Sequence, residues 1–236
     1  MELEEDSFWF RARSRLILDA LKAEFPRARS LLEIGCGTGY VLNGIHGALP
    51  DIELTGADLY VQGLRHAQRR VPSAQVVQCD AERLPFADAF DVVAAFDVLE
   101  HVDDDVGVLA DLRRAVRSDG GLMVTVPQHR WLWSPADDFA YHRRRYVRRE
   151  LIAKVQGVGF EPVRVTSFVF SLLPLMFASR LRDRHADEPY DPVREHQQSI
   201  RLGPLLERIL GIEARLIRRG VSLPAGGSLF MVARPV

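Results

Sequence analysis

Lysine and cysteine are both scarce in this sequence. Lys22 and Lys154 are the only lysines among 236 residues, and with a net charge of −1 the chain lacks the basic excess of proteins that neutralise nucleic-acid phosphates. Cys36 and Cys79 form no CxxC pair, which argues against a disulfide framework and makes a reducing compartment the default. We therefore expect a cytoplasmic protein without a nucleic-acid partner.

Long apolar runs are missing as well. No run of about 18 or more apolar residues occurs, so we expect no membrane-spanning helix. The opening residues MELEEDSFWF are acidic and lack the basic and apolar regions of a signal peptide. The composition, 47% hydrophobic and 27% charged, is typical of a globular protein, and 236 residues suffice for one sizeable core.

Apolar runs alternate with helical patterns along the first two thirds of the chain. This alternation predicts an α/β fold, in which a parallel sheet is covered by helices on both faces. Helical patterns also dominate residues 171–220, where a polar loop at 184–198 interrupts them. The predicted strands are residues 30–35, 51–58, 74–80, 90–99, 120–127, 160–170 and 226–236.

The segment LLEIGCGTGY (31–40) carries three glycines at alternate positions, at the end of the first predicted strand. Its spacing, GxGxG, differs from the GxGxxG of dinucleotide-binding turns, and no Gly-Lys-Ser/Thr follows as in a phosphate-binding P-loop. In open α/β sheets, ligands bind beyond the carboxyl ends of the strands. The glycine turn therefore marks the predicted ligand site.

Carboxylates surround this turn. Glu33 precedes it, while Asp58 and Asp80 end the next two predicted strands. Asp58 lies about 20 residues beyond the glycines, where an acid can accept hydrogen bonds from ribose, and a nicotinamide-dependent enzyme would share that feature. Three carboxylates without a nearby cation suit a ligand with an ammonium and a sulfonium better than they suit a pyrophosphate. The simpler alternatives are a helix-capping role for Glu33 and a turn role for Asp58.

Four segments occur in order along the chain: EIGCGTGY, GADLY, CDAERLPF and FDVVAAFDVLEHV. Together they resemble the successive motifs of class I S-adenosylmethionine-dependent methyltransferases, and the last is similar to the quinone-biosynthesis O-methyltransferase branch and its small-molecule relatives. The resemblance covers residues 28–165. It implies a Rossmann-like seven-stranded sheet with an antiparallel last strand and helices on both faces, and S-adenosyl-L-methionine as the cofactor.

The same resemblance implies roles for individual residues. Glu33, Gly35 and Gly37 would lie along the methionine moiety of the cofactor, whereas Gly39 would either contact it or serve only helix packing. The remaining implied contacts are Asp58 with the ribose and Leu59 beside it, Asp80 and Ala81 with the adenine, and Phe96 packed near the cofactor.

His101, in the LEHV segment after the fourth predicted strand, is the leading candidate for a catalytic base. A base is needed where the acceptor must lose a proton, and positioning supplies much of the remaining rate. Asp97 and Glu100 share the loop and could orient His101, whose alternative role is to fix the loop. His129 and His142 are weaker candidates. The histidines show no metal-ligand spacing along the chain, so no metal site is predicted.

Missing motifs narrow the range of acceptors. No Asn/Asp-Pro-Pro-aromatic motif follows the fourth strand, which argues against amino-methylation of nucleic acid, and no catechol-type set of magnesium-binding acids occurs. A small or amphiphilic organic acceptor remains, and the resemblance to the O-methyltransferase branch implies methylation at oxygen. The HRRRY segment (142–146) either anchors an acidic acceptor or, as we favour, forms surface ion pairs.

Two segments are candidates to cover the site. The aromatic residues 8–10 form a lid over the cofactor or belong to the core. We divide the chain into a cofactor-binding domain, residues 1–170 plus 221–236, and a helical insertion, residues 171–220, between strands 6 and 7. The insertion packs on the sheet, forms a dimer interface, rests on a membrane surface or, as we favour, covers a greasy acceptor. Its second half has a predicted apolar stripe of Leu202, Leu205, Leu206, Ile209, Ile212 and Leu216.

Two other functions stay open at the level of sequence. A nicotinamide-dependent oxidoreductase is disfavoured by the glycine spacing and by Asp80. A non-catalytic module that binds S-adenosylmethionine would share every cofactor motif, and only turnover separates it from an enzyme. The sequence is compatible with a monomer or a homodimer.

Overall fold

The computed structural model describes Glu4 and residues 7–183 and 192–236. In these residues the strands are β1 (Ser30–Ile34), β2 (Glu53–Asp58), β3 (Gln75–Gln78), β4 (Phe90–Phe96), β5 (Val116–Pro127), β6 (Phe160–Phe168) and β7 (Ser228–Pro235). The helices are α1 (Phe8–Glu24), α2 (Tyr40–Ala48), α3 (Val61–Arg70), α4 (Asp105–Ala115), α5 (Pro135–Phe139), α6 (Arg148–Gly157), α7 (Leu173–Asp183) and α8 (Pro192–Arg218).

One sheet contains all these strands, in the order β3-β2-β1-β4-β5-β7-β6. β7 runs antiparallel to both β5 and β6, while β1 to β5 pair in parallel. This confirms the predicted seven-stranded sheet with an antiparallel last strand. The chain runs outward from β1 to β3 and then returns to β4 on the other side of β1. The crevice for a ligand therefore lies at the carboxyl ends of β1 and β4, where the strand order reverses.

The central strands are apolar because helices cover both faces of the sheet. All five residues of β1 are buried, and β4 is buried except for Asp91. One core cluster joins the sheet to α1, α2, α3 and α8, and a second joins the opposite face to α4 and α6. The predicted helices on both faces are confirmed.

The segment between β6 and β7 forms α7 and α8, as predicted. The predicted loop at 184–198 is wrong in its second part, because α8 already begins at Pro192, a residue that suits the first helical turn; residues 184–191 lie outside the described residues. α8 packs along α1, and the Arg11 guanidinium lies 2.8 Å from the Glu207 carboxylate.

The apolar stripe predicted on α8 is rotated in the structure. Leu205, Ile212 and Leu216 are exposed, although they were assigned to the stripe. The face that packs against the core instead follows a spacing of three and four residues, and the side chain of Leu202 lies outside the described residues. Its buried members are Leu206, Leu210, Ala214 and Ile217.

Two short elements after β5 were not predicted. They are a 3-10 turn, Arg130–Leu132, and the helix α5. Ser134 and Asp137 form a capping box at the start of α5, with a proline in its first turn. The Ser-Pro-Ala-Asp pattern was the available signal for this helix. Within the described part of the chain, none of the helices is both long enough and apolar enough to cross a membrane.

Candidate active site

The loop between β1 and α2 packs tightly against residues of the adjacent elements. Gly35, Gly37 and Gly39 all have positive φ, at 62°, 52° and 75°. A Cβ on Gly39 would lie 2.9 Å from Ala67 on α3, so this glycine serves helix packing. A Cβ on Gly35 would lie 2.4 Å from the Val98 side chain, whereas none of the surrounding atoms lies within 4 Å of the corresponding position on Gly37. The open space for a ligand therefore lies over Gly37.

Asp58, at the end of β2, holds this loop in place. One of its carboxylate oxygens accepts a hydrogen bond from the backbone N–H of Gly37 at 2.8 Å, and the other accepts from Tyr60 N–H at 2.8 Å. Leu59 is 51% exposed beside it. The carboxylate thus lies next to the open space, and it also organises the loop.

The residues assigned to the adenine lie further along the same edge of the sheet. Asp80 is exposed after β3, and its side chain accepts from Glu82 N–H at 3.0 Å, while Ala81 is half-buried. Phe96 ends β4 and is 5% exposed within the core cluster that includes α1. The structure brings these positions to the carboxyl edge, with Phe96 beneath the surface.

Glu33 and Arg13 form a buried pair of opposite charges near the glycine loop. Burial raises the pKa of Glu33 to about 8, although the Arg13 charge opposes that shift. One carboxylate oxygen of Glu33 has no hydrogen-bond partner. Burial likewise lowers the pKa of Arg13 to about 10. The arginine also forms an ion pair with Asp97, the first residue after β4.

Sequence reasoning missed Arg13, for which a signal existed. It stands among the apolar residues of α1, next to Ala12 and near Leu16, and its guanidinium lies 4.4 Å from the centre of the Trp9 ring. The neighbouring aromatic ring of Phe10 packs edge-on against Tyr40, directly after the glycine loop. Helix α1 therefore belongs to the core and packs beside the end of the glycine loop.

His101 lies beyond β4, on the exposed side of the crevice. Its ring packs edge-on against His142, with 4.8 Å between the ring centres. Desolvation, followed by the nearby His142, lowers the pKa of His101 below its ordinary value. The adjacent Glu100 is completely buried, and among the described residues neither of its carboxylate oxygens has a partner within hydrogen-bond geometry.

The HRRRY segment fits its predicted surface role only in part: Arg143 forms an exposed ion pair with Asp103, whereas Arg145 is buried. Arg145 is 8% exposed and binds the buried Asp137 carboxylate with two hydrogen bonds of 2.8 and 3.0 Å. His142 Nδ1 lies 2.8 Å from the same carboxylate. Hydrogen bonds from His142 and Arg145 outweigh the effect of burial and lower the pKa of Asp137 to about 2. The sequence did not show this because Asp137 lies in the unpredicted helix α5.

The sequence is similar to those of known methyltransferases. A family model described as a methyltransferase domain matches residues 32–124. The chain is 32% identical over 191 residues to a probable S-adenosylmethionine-dependent methyltransferase of Mycobacterium tuberculosis, covering 78% of this chain and 65% of that protein. Residues 32–124 thus form a class I S-adenosylmethionine-dependent methyltransferase domain. It is also 25% identical to a malonyl-[acyl-carrier protein] O-methyltransferase of Halalkalibacterium halodurans, over 73% of this chain and 65% of that protein.

Solved structures show the methyltransferase fold. A possible histamine N-methyltransferase from Thermotoga maritima matches with a TM-score of 0.60 at 19% identity, covering 96% of this chain and 90% of that chain. The [4+2]-cyclase SpnF matches with a TM-score of 0.62 at 20% identity, covering 96% and 83%. This methyltransferase chain spans about 65% of the length of the mycobacterial relatives it matches.

The cofactor of this family is S-adenosylmethionine, and the residues present fit it. The space over Gly37 admits a ligand, Asp58 lies beside that space, and the unpartnered Glu33 oxygen offers an acceptor for an ammonium group. The family assignment therefore replaces the nicotinamide alternative.

Proposed function

We propose that this protein transfers a methyl group from S-adenosylmethionine to an oxygen atom of a small or amphiphilic organic acceptor. The observation that carries the proposal is the placement of the open glycine loop and the exposed His101 at the carboxyl ends of the neighbouring strands β1 and β4. The cofactor, when bound, supplies an electrophilic methyl group on a sulfonium.

The protein residues bind and orient this cofactor. Glu33, Gly35 and Gly37 run along the methionine moiety, and Asp58 accepts from the ribose hydroxyls beside Leu59. Asp80 and Ala81 contact the adenine, and Phe96 supports the site from below. Since methyl transfer spreads charge instead of creating it, much of the rate comes from holding the reactants in line.

His101 is the proposed catalytic base, at which the proton of the acceptor hydroxyl leaves. Its lowered pKa keeps the imidazole neutral near pH 7, as a base requires. Asp97 and Glu100 position the loop that carries it. The acceptor oxygen would approach between His101 and the open space over Gly37.

Exposed aromatic rings favour an apolar group on the acceptor. Trp131 and Phe177 are 48% and 50% exposed, and their ring centres lie 6.0 Å apart. Trp131 follows β5 and Phe177 lies on α7, so helix α7 stands at the edge of the sheet that carries the site. We propose that residues 171–220 cover the acceptor, and that residues 1–170 plus 221–236 bind the cofactor.

We further propose that the protein acts in the cytoplasm, as a monomer or a homodimer, without a nucleic-acid partner. The two cysteines are unpaired thiols, as expected in a reducing compartment. Peripheral contact with a membrane is supported by apolar side chains on the outer face of α8 next to arginines. The exposed apolar members are Leu205, Ile212 and Leu216.

A screen with methyl-labelled S-adenosylmethionine tests the proposal against quinol, phenolic, sugar and lipid acceptors. Transfer to the oxygen of one of them supports the function. The names of two relatives make the methylated atom worth measuring, since one is an O-methyltransferase and another, from Desulfotalea psychrophila, is a C-methyltransferase. Binding of the cofactor without transfer to any acceptor would indicate a non-catalytic module.

Asp58→Ala tests the cofactor site. The substitution removes a charged hydrogen-bond partner, so the binding free energy of S-adenosylmethionine becomes less favourable by about 1.5–3 kcal/mol. Calorimetry measures the dissociation constant, and Asp51→Ala, at an exposed turn before β2, is the matched control. Unchanged affinity in Asp58→Ala, or binding of NAD by the unaltered protein, contradicts the assignment.

Glu33→Gln tests the methionine end of the site through its pH dependence. With a pKa of about 8, Glu33 is largely protonated at pH 7, and an ammonium group placed beside it favours ionisation. Affinity for the cofactor therefore rises as the pH increases from 6 towards 8, by up to about tenfold per pH unit. The glutamine variant lacks this component. Calorimetric titrations measure the affinity of both proteins at several pH values. Protonation of the cofactor itself affects both proteins equally, so it cancels in the comparison. Equal pH dependence in the two proteins would rule out a contact between Glu33 and the cofactor.

A further inference from the structure

One carboxylate and two imidazoles meet just beyond β4. The candidate ligand atoms of Glu100, His101 and His142 all lie within 4.8 Å of one another. Glu100 and His101 follow β4, whereas His142 comes from the segment after α5. Spacing along the chain did not reveal this group, because the fold supplies the second histidine from a distant segment.

The Glu100 carboxyl group is buried without a side-chain partner among the described residues, and burial raises its pKa to about 8. It is 0% exposed, and in the described part of the chain its oxygens have no partner within hydrogen-bond geometry beyond a weaker interaction with the backbone N–H of Glu100 itself. A buried carboxylate left unpaired is costly, so such groups are normally paired or coordinate a metal. Arg13 and Arg145 influence it only through space, and both already bind other carboxylates, those of Asp97 and Asp137.

The backbone around these side chains is held in place. Arg143 donates its backbone N–H to the Glu100 carbonyl at 2.7 Å, and its guanidinium Nε donates to the His101 carbonyl at 2.9 Å. Arg143 directly follows His142 in the chain. The backbone of two of the three residues is thereby tied to the segment that supplies the third.

The His142 ring is oriented as in metal sites. His142 Nδ1 lies 2.8 Å from an Asp137 oxygen, and that carboxylate is itself fixed by Arg145 and by Ser134 N–H at 2.9 Å. A histidine that donates Nδ1–H to a carboxylate presents its Nε2 lone pair to an ion, and such outer carboxylates accompany most histidine ligands.

We propose that Glu100, His101 and His142 bind one divalent transition-metal ion. Two imidazole nitrogens and one carboxylate oxygen suit zinc and its neighbours in the first transition series, and three protein ligands leave a coordination position open. Zinc lies about 2.0–2.2 Å from such atoms, so small side-chain rotations draw the ligand atoms together around it.

The consequence for catalysis, unlike metal binding itself, rests on the proposed function. An ion at this position would bind the acceptor oxygen and lower the pKa of its proton, so that the proton could pass to solvent water without a free imidazole. His101 then acts as a ligand to the ion instead of as the base. Substitution of His101 impairs turnover whether the residue is the base or a ligand to the ion. Removal of the ion impairs turnover only if His101 is a ligand.

Titration of the metal-stripped full-length chain with Co²⁺ and with Zn²⁺ tests the site. We expect the unaltered chain to bind one ion and to show visible absorption bands with Co²⁺. In Glu100→Gln and in His142→Ala, the affinity for the ion should fall by at least about 10–100-fold. His101→Ala removes an exposed ligand, so this variant should fold even if Glu100→Gln and His142→Ala do not. It then tests the site by itself. His46→Ala, on α2 at the other end of the sheet, is the control and binds the ion normally.

Two results overturn the inference: dissociation constants weaker than about 100 μM for both ions, or undiminished binding in His101→Ala. The outcome is separable from that of the proposed function. Methyl transfer by a chain that binds no ion removes the metal site and leaves the enzyme. Stoichiometric ion binding by a chain without methyl transfer supports the site and removes the enzyme.

Discussion

Replacing His101 with alanine lowers methyl-transfer turnover by about 10²–10⁴-fold while the affinity for S-adenosylmethionine holds. The expected loss is large because the side chain lies where the acceptor proton leaves, whether it acts as the base or as a ligand. The affinity holds because the cofactor contacts come from the loop after β1 and the ends of β2 and β3. Single-turnover rates with the acceptor found by screening, together with calorimetry, measure both quantities.

His46→Ala is the matched histidine variant and retains normal turnover, since His46 lies on α2, away from the carboxyl edge of the sheet. Two results speak against the role of His101. Normal turnover in a stable His101→Ala protein removes the residue from the mechanism. A parallel fall in the free energy of unfolding and in cofactor affinity shows that it only fixes the loop.

Asp137→Ala lowers the free energy of unfolding by about 3–5 kcal/mol, because it leaves the Arg145 guanidinium buried without its carboxylate. The lost contacts include both hydrogen bonds from Arg145 and those from His142 and from Ser134. Urea denaturation followed by tryptophan fluorescence measures the change. A loss below about 1 kcal/mol would show that water solvates Arg145 in the variant, contrary to its burial in the structure.

Asp138→Ala is the control for this experiment. Asp138 is the next residue along α5, is exposed, and accepts a hydrogen bond from Trp133 Nε1 at 3.0 Å. Its removal changes the free energy of unfolding by less than about 1 kcal/mol. In Asp137→Ala combined with Arg145→Met, the unpaired charge is gone, so part of the lost stability returns.

The sheet was predictable because its signals are local. Continuous apolar runs at β1 and β4 indicate strands covered on both faces, and the glycine turn and the acids at strand ends mark the carboxyl edge. The order of the four motifs supplied the antiparallel last strand through resemblance. Apart from the direction of that strand, these features depend on residues that are neighbours in the chain.

The buried charges were not predictable in the same way. Arg13, Glu100 and Arg145 look like ordinary polar residues in the sequence, and only the packing of α1 and α5 removes them from water. The pairing of His101 with His142 likewise depends on a loop contact across the fold. The exposed face of α8 was misassigned because two apolar faces are compatible with its sequence, and contact with α1 selects one of them.

Helix α1 precedes the first strand of the sheet. Its inner face is buried, from Ala12 to Leu21, and Arg13 ties it to the end of β4 while α8 lies along it. Opening this helix would therefore expose much of one core cluster and break a buried ion pair. We expect the backbone amides in its inner turns to exchange with deuterium as slowly as those of the central strands. The wall beside Glu33 is thus formed before any ligand arrives, and binding requires no folding step there.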